Sequence, residues 1–119
     1  MDTYSLICTP RREDSVTVLH LSGYLNDQTV RGFEEIVESL PDGSTQLVLD
    51  AAEAIHISSI GFGAILSLAA ELRDRGGDLR IANLNPSLQR VLTLAFAGFF
   101  QTFSSTRDAV ASYHAVSAK

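Results

Sequence analysis

Along the chain, apolar residues fall either into short continuous runs or into sets spaced three and four apart. Val16 to Leu21 is β-branched or apolar at nearly every position, the composition of a strand buried on both faces. Gln46 to Leu49 reads as a second buried strand ending at Asp50, and Leu79 to Ala82 as a third. Tyr4 to Thr9 is a shorter strand-like run before a polar turn from Pro10 to Asp14, and Phe99 to Phe103 holds a short last strand. The spaced sets are helical. Val30, Phe33, Ile36, Val37 and Leu40 share one face, with Glu34, Glu35 and Glu38 falling between them. Ile65, Leu68, Ala69 and Leu72 mark a second helix, and Leu88, Val91, Leu92 and Ala95 a third. In a fourth, Ala109, Val110 and Tyr113 face inward.

The punctuation agrees with these elements. Asn26 or Asp27 supplies the N-cap of the first helix, and Pro41-Asp42-Gly43 ends it. Gly76-Gly77 closes the second, and Asn85-Pro86 opens the third with proline in its first turn. Ser105 opens the fourth, with Asp108 three residues on as a capping-box-like pair. The alternation of strand and helix after residue 46 implies parallel pairing with right-handed crossovers. The first two strands are joined by a short turn and pair antiparallel. The expected fold is α/β, one domain over residues 1–119, with a mixed, mostly parallel sheet of four to five strands and about four helices.

One stretch breaks the rhythm. After Asp50 comes a loop of roughly nine residues, longer than the ~2–6 usual between a strand and its helix. Loops at the carboxyl ends of strands hold the site in open α/β sheets. This one ends at Ser58-Ser59, just ahead of Gly61-Phe62-Gly63.

Composition narrows what that site does. Of the 119 residues, 45% are hydrophobic and 19% charged, an ordinary globular balance. Nine basic residues against fourteen acidic ones give a net charge of −5, which argues against nucleic acid and against anionic membrane surfaces as partners. A lone cysteine, Cys8, forms no internal disulfide and fits a reducing compartment. The first residues lack a signal-peptide pattern, and no window reaches the ~18 apolar residues of a membrane span. A cytoplasmic protein without a membrane span is the expectation.

Catalytic and cofactor patterns are missing. His20, His56 and His114 have no metal-ligand spacing to one another or to Cys8. Gly61-Phe62-Gly63 lacks the third glycine of a dinucleotide loop and the Lys-Ser/Thr of a phosphate loop. Ser58 and Ser59 are not framed by glycines as in a hydrolase elbow, and no base stands beside them. The expectation is therefore a chain that is not an enzyme and uses no metal or cofactor. One serine is explained as the N-cap of the helix beginning near Ile60. That leaves the second unexplained.

Three ordered segments resemble a bacterial STAS-domain protein of the anti-sigma factor antagonist type. His56-Ile57-Ser58-Ser59-Ile60-Gly61-Phe62-Gly63 is similar to the family's Asp-Ser-Ser/Thr-Gly-Leu-Gly loop, with Gly61 and Gly63 on its glycines. Leu21-Ser22-Gly23-Tyr24-Leu25-Asn26-Asp27-Gln28-Thr29 resembles its Leu-Thr-Gly-Glu-Leu-Asp-x-x-Thr. Gly76 to Pro86 resembles its Gly-Gly, strand, Asn-Leu-x-Pro run, with Arg90-Val91-Leu92 following in register. The likeness runs from about Leu19 to Val110. Ser59 falls on the family's phosphorylatable serine and Ser58 on its aspartate. The departures are mostly lost acids: Tyr24 replaces Glu, Asn26 replaces the first Asp, and Ser58 replaces the loop Asp. Asp27 partly substitutes, one residue late. The family's Thr-Gly-Leu after the third helix is also absent, replaced around Ala95-Phe96-Ala97.

The resemblance implies a regulatory binding module that sequesters a histidine-kinase-like ATPase, an anti-sigma serine kinase. In the family that partner phosphorylates the serine that Ser59 matches, and a PP2C-type phosphatase reverses the modification; the alternative is that loss of the acid at Ser58 abolishes phosphorylation and leaves a constitutive binder. Asn26, Asp27, Ser58, Ile60, Gly61 and Phe62 are the implied partner contacts; family placement makes Phe62 an exposed apolar anchor, whereas a Phe in the first turn of a helix is more often buried. Two other roles are open to a small STAS protein: an accessory subunit of a phospholipid-transport ATPase complex, or a structural subunit of a signalling scaffold.

Overall fold

The computed structural model describes residues 5–115. Its element order is β1 (Leu6–Glu13), β2 (Val16–Leu25), α1 (Val30–Glu38), β3 (Gln46–Ile57), α2 (Ser59–Asp74), β4 (Asp78–Ala82), α3 (Pro86–Ala95), β5 (Thr102–Phe103) and α4 (Thr106–Ala115). The five strands form one sheet in the order β1-β2-β3-β4-β5. Only β1–β2 is antiparallel; the other pairs are parallel. This is the mixed, mostly parallel sheet with four helices that the alternation of elements implies.

Helices cover both faces. On one face Leu19, Leu21, Leu47, Leu49, Leu79 and Ile81 meet Phe33 of α1, Phe62, Ile65 and Leu72 of α2, and Leu88 and Leu92 of α3. On the other, Val16, Val18, Val48 and Ala82 meet Ala109 and Val110 of α4. Strands buried on both sides cannot alternate apolar with polar, so β2, β3 and β4 read as continuous runs. Tyr113 fastens α4 from its far end. Its hydroxyl lies 2.6 Å from the Leu47 carbonyl and 2.7 Å from that of Asp78, sharing one proton between them. The Arg80 guanidinium stacks 4.0 Å above its ring.

Three local expectations fail for identifiable reasons. The polar stretch from Pro10 is not a turn. β1 continues through it to Glu13, and the chain reverses at Asp14-Ser15, both with positive φ (50° and 68°), the signature of a two-residue hairpin turn. Pro10 is tolerated because β1 is an edge strand. Neither Asn26 nor Asp27 caps α1. The helix starts at Val30 after Thr29, and the Asn26 side-chain oxygen instead closes a turn on the N–H groups of Gln28 (2.9 Å) and Thr29 (3.2 Å). The nine-residue loop after Asp50 does not exist as a loop: β3 runs on to Ile57.

The helix ends elsewhere follow the sequence. Asn85 caps α3 through Leu88 N–H at 2.8 Å, and Ser105 receives Asp108 N–H at 3.0 Å. After α2, Gly76 (φ 84°) donates to the Arg73 carbonyl and Gly77 to that of Leu72, the paired bonds of a Schellman close.

Candidate functional site

The site is built by an irregularity in β3. From Thr17↔Leu47 to His20↔Asp50 the β2–β3 register is regular. It then slips to Ser22↔Glu53, and again between Gly23↔Ala54 and Tyr24↔His56, so β3 carries one extra residue at each of two bulges. Beyond Asp50, among the described residues, β3 has no strand partner on its β4 side. Burial along Ala51–Ile57 consequently repeats every third residue. Ala51, Ala54 and Ile57 are buried, while Ala52, Glu53, Ile55 and His56 are exposed. Gly23 makes the second bulge possible: at φ 111°, a Cβ there would sit 2.2 Å from the Ser5 carbonyl, which receives Tyr24 N–H at 2.8 Å.

The two strands end together. Ser58 N–H donates to the Leu25 carbonyl at 2.9 Å, so Asn26-Asp27 and Ser58-Ser59 leave the sheet side by side. Ser58 and Ser59 then divide the labour. Ser58 is extended (ψ 173°), half-buried, and caps α2: its Oγ receives Gly61 N–H at 3.1 Å and its carbonyl receives Phe62 N–H at 2.8 Å. Ser59 is the first helical residue and its side chain is exposed. No acidic residue occupies the first turn of this 16-residue helix, so its positive dipole end is not neutralised from within the turn.

Of the other residues named from the sequence, Ile60 is 53% exposed beside Ser59, and Ile55 is 59% exposed on the end of β3. Asp27 is exposed and Asn26 half-buried. Phe62 is not the exposed anchor the resemblance implied. It is 0% exposed, stacked on Phe96 with ring centroids 5.2 Å apart. A residue three places into a helix that packs on a sheet turns inward. Gly61 is buried too and serves close approach rather than contact: a Cβ would meet the Leu25 carbonyl at 2.7 Å. The large apolar side chains exposed near Ser59 are therefore Ile60 and Ile55, not Phe62.

Earlier along the same two strands lies a polar cluster that sequence reasoning missed. His20 Nδ1 is 3.0 Å from Asp50 Oδ2, and its Nε2 is 2.6 Å from Glu53 Oε1. Asp50 Oδ1 receives Asn83 Nδ2–H at 2.9 Å and Ala52 N–H at 3.1 Å. Burial pushes the Asp50 carboxyl up, but the bonds from Asn83, His20 and Ala52 outweigh it and hold the carboxyl below its ordinary value. His20 goes the other way: its bonds to Glu53 and then Asp50 raise it, against burial. The partners are 30 and 33 residues apart, so no local motif marks them; a parallel register assigned from the sequence would have placed His20 beside Asp50. Burial pushes the Cys8 thiol up to about 11, which keeps it protonated and unreactive. Among the described residues, no group of three or more His, Cys, Asp or Glu is arranged to hold a metal ion, and no helix is long and apolar enough to cross a membrane.

Residues 9–112 match the family model of the STAS domain. The chain belongs to the STAS domain family. BtrV of Bordetella bronchiseptica, which bears the name of an anti-sigma factor antagonist, is 28% identical over 102 residues, 83% of this STAS chain and 86% of BtrV. An anti-sigma factor antagonist from Mycobacterium paratuberculosis superposes with a TM-score of 0.82 at 20% identity, covering 92% of this chain and 95% of that one. SpoIIAA in its unphosphorylated form gives 0.77 at 18% identity over 92% and 97% of the two chains. The phosphorylated form of SpoIIAA, from Bacillus, gives 0.67 at 18% identity over 93% and 99%. At these identities the superpositions establish the STAS fold.

Proposed function

We propose that this STAS domain is an anti-sigma factor antagonist that docks a partner through the surface around Ser59 and is released when Ser59 is phosphorylated. The observation that carries this reading is the division between the two serines. Ser58 does the structural work of the cap, which leaves the Ser59 hydroxyl exposed and without a structural task at the start of α2. Exposed Ile55 and Ile60 supply apolar contact beside it, and Asp27 supplies a charge. SpoIIAA, of the same fold, is known in unphosphorylated and phosphorylated forms.

The physics of release is electrostatic. Phosphorylation adds about −1.5 to −2 charge at neutral pH. Within this chain the unneutralised N-terminus of α2 accepts that charge. Inside an interface the same dianion has to be desolvated or paired, so binding weakens while the fold stays. The partner is a histidine-kinase-like ATPase acting as the anti-sigma serine kinase, with a PP2C-type phosphatase restoring the hydroxyl. The chain itself contributes recognition, not catalysis.

The test is phosphate transfer. Incubated with its kinase and ATP, the chain gains one phosphate by intact mass, and Ser59→Ala gains none. Ser59→Asp weakens partner capture at least tenfold, the scale of a like-charge or desolvated charge in a contact. Equal phosphate uptake by Ser59→Ala would remove Ser59 as the site.

A further inference from the structure

We propose that His20 is a positioning residue for the Ser59 surface: as an imidazolium it clasps Asp50 to Glu53, steadies the bulged half of β3, and lets go on losing its proton. Its consequence for docking rests on the reading of Ser59 given above; the clasp itself is a property of the two strands alone.

The geometry demands two N–H donors. Both ring nitrogens face carboxylate oxygens, Nδ1 toward Asp50 at 3.0 Å and Nε2 toward Glu53 at 2.6 Å. A neutral imidazole carries one N–H and one lone pair, so it satisfies only one of these contacts and repels the other. The two jaws differ. Asp50 is anchored, since its other oxygen holds Asn83 and Ala52 N–H, and Asn83, in the left-handed region at φ 65°, also reaches Thr106 Oγ1 at 3.2 Å. Glu53 has an exposed side chain and stands just past the first bulge. Deprotonation of His20 therefore frees Glu53.

The cluster is electrically simple. β1 places Thr9 opposite His20, and the charge nearest on that face of the strand, Arg11, pairs with Glu13 at 3.3 Å. β4 places Ala82 beside Asp50, and α4 contributes Thr106 through Asn83, with its first-turn charges Arg107 and Asp108 exposed to solvent. The proton on His20 is thus governed by Glu53 and Asp50, which raise its affinity above the ordinary value of 6.5. A raised histidine contributes fully below 6.5 and loses that contribution as pH rises through the folded value, so the clasp opens above 6.5. Past the clasp, β2 leads to Asn26-Asp27 and β3 leads to Ser58-Ser59, so a loosened bulge blurs the docking surface from upstream in the two strands that carry it.

The experiment is NMR on the full chain between about pH 6 and about pH 8.5, the range of a histidine switch. The His20 ring carbon gives the titration. Amide exchange of residues 53–57, expressed as protection factors so that base catalysis cancels, gives the opening. Protection of 53–57 should fall about fivefold or more, the loss of one hydrogen bond of ordinary strength, with the midpoint of the His20 titration. Leu79 to Ala82 in β4 should not follow. His20→Gln should hold the lower protection at every pH, and Glu53→Gln, a change on an exposed side chain, should remove most of the pH response.

Flat protection through the His20 titration, a His20 ring that titrates at or below 6.5, or an unaltered pH response in Glu53→Gln would each overturn the clasp. No partner or kinase enters these measurements. A chain that shows the pH response yet takes no phosphate at Ser59 keeps the clasp and loses the docking reading. A chain phosphorylated at Ser59 with flat protection does the reverse.

Discussion

The two halves of β3 obey different rules. Leu47 to Asp50 pairs in unbroken register with β2 on one side and β4 on the other, and all of it is buried. Ala51 to Ile57 has β2 as its one strand partner among the described residues, slips register twice, and buries three of its seven residues. The first half builds the core from continuous apolar sequence. The second spends little on the core and uses its two extra residues to deliver Ser58 and Ser59 to the surface at a set orientation. A bulge re-aims side chains at the cost of regular pairing, and here both bulges lie between the core and the candidate site. Stability and presentation of the candidate site are thus written into successive segments of one strand.

The contrast can be broken most forcefully where α2 turns back into the core. Phe62 lies three residues past Ser59 yet is fully buried against Phe96. Phe62→Ala should cost about 3–5 kcal/mol, as for large core aromatics, read from urea unfolding at unchanged slope. Ile60→Ala, two residues earlier and 53% exposed, should stay within about 0.5 kcal/mol. A Phe62→Ala loss below about 1 kcal/mol would restore Phe62 as a surface anchor and dissolve the distinction.

Gly61→Ala comes next. Its Cβ would meet the Leu25 carbonyl at 2.7 Å and Ile57 Cγ2 and Leu25 Cγ at 3.0 Å, and backbone does not step aside as a flexible side-chain tip does. A loss of about 1–3 kcal/mol is expected. Gly63→Ala has nothing within 4 Å and is helical, so it should be neutral or slightly stabilising. Unfolding midpoints of the pair separate a glycine needed for close approach from one that is not. Equal effects would mean that the end of β2 is not the wall against which α2 starts.

Most of the architecture was legible because it obeys simple periods. α2 announced its buried face as Ile65, Leu68, Ala69 and Leu72, all of which are buried, and Asn85-Pro86 announced the start of α3. What failed to read was the stretch from Ala51 to Ile57. Its burial repeats every third residue, a period that belongs neither to a strand nor to a helix, so Ala-Ala-Glu-Ala-Ile-His-Ile looks like a loop. The His20 cluster was hidden because its residues meet only once the β2–β3 register is known, and the first bulge then shifts Glu53 out of simple register. Phe62 misled for another reason: the resemblance gave its place in a motif, and only packing gives the direction in which a side chain points. The prominence of Ser58-Ser59 was legible, and so was the cap, but not which serine supplied it.

The smallest expected effects address that last point. Ser58→Ala removes the acceptor for Gly61 N–H and should cost about 1 kcal/mol, the usual penalty for a lost N-cap. Ser59→Ala removes an exposed hydroxyl and should change stability by less than about 0.5 kcal/mol. Thermal unfolding of the two variants side by side decides the assignment. If the costs were reversed, Ser59 would be the structural residue and its availability for modification would vanish. Ser58→Asp sharpens the comparison further. Aspartate caps as well as serine, and its charge suits the N-terminus of α2, so stability should hold or rise by a few tenths of a kcal/mol. That variant also returns a carboxylate to the position beside Ser59 where the family resemblance places one. Faster phosphate uptake by Ser58→Asp than by the parent would mean that the missing acid restrains the switch in this chain. An unchanged rate would mean that the cap, charged or not, only presents the helix start, and that the orientation of Ser59 is sufficient.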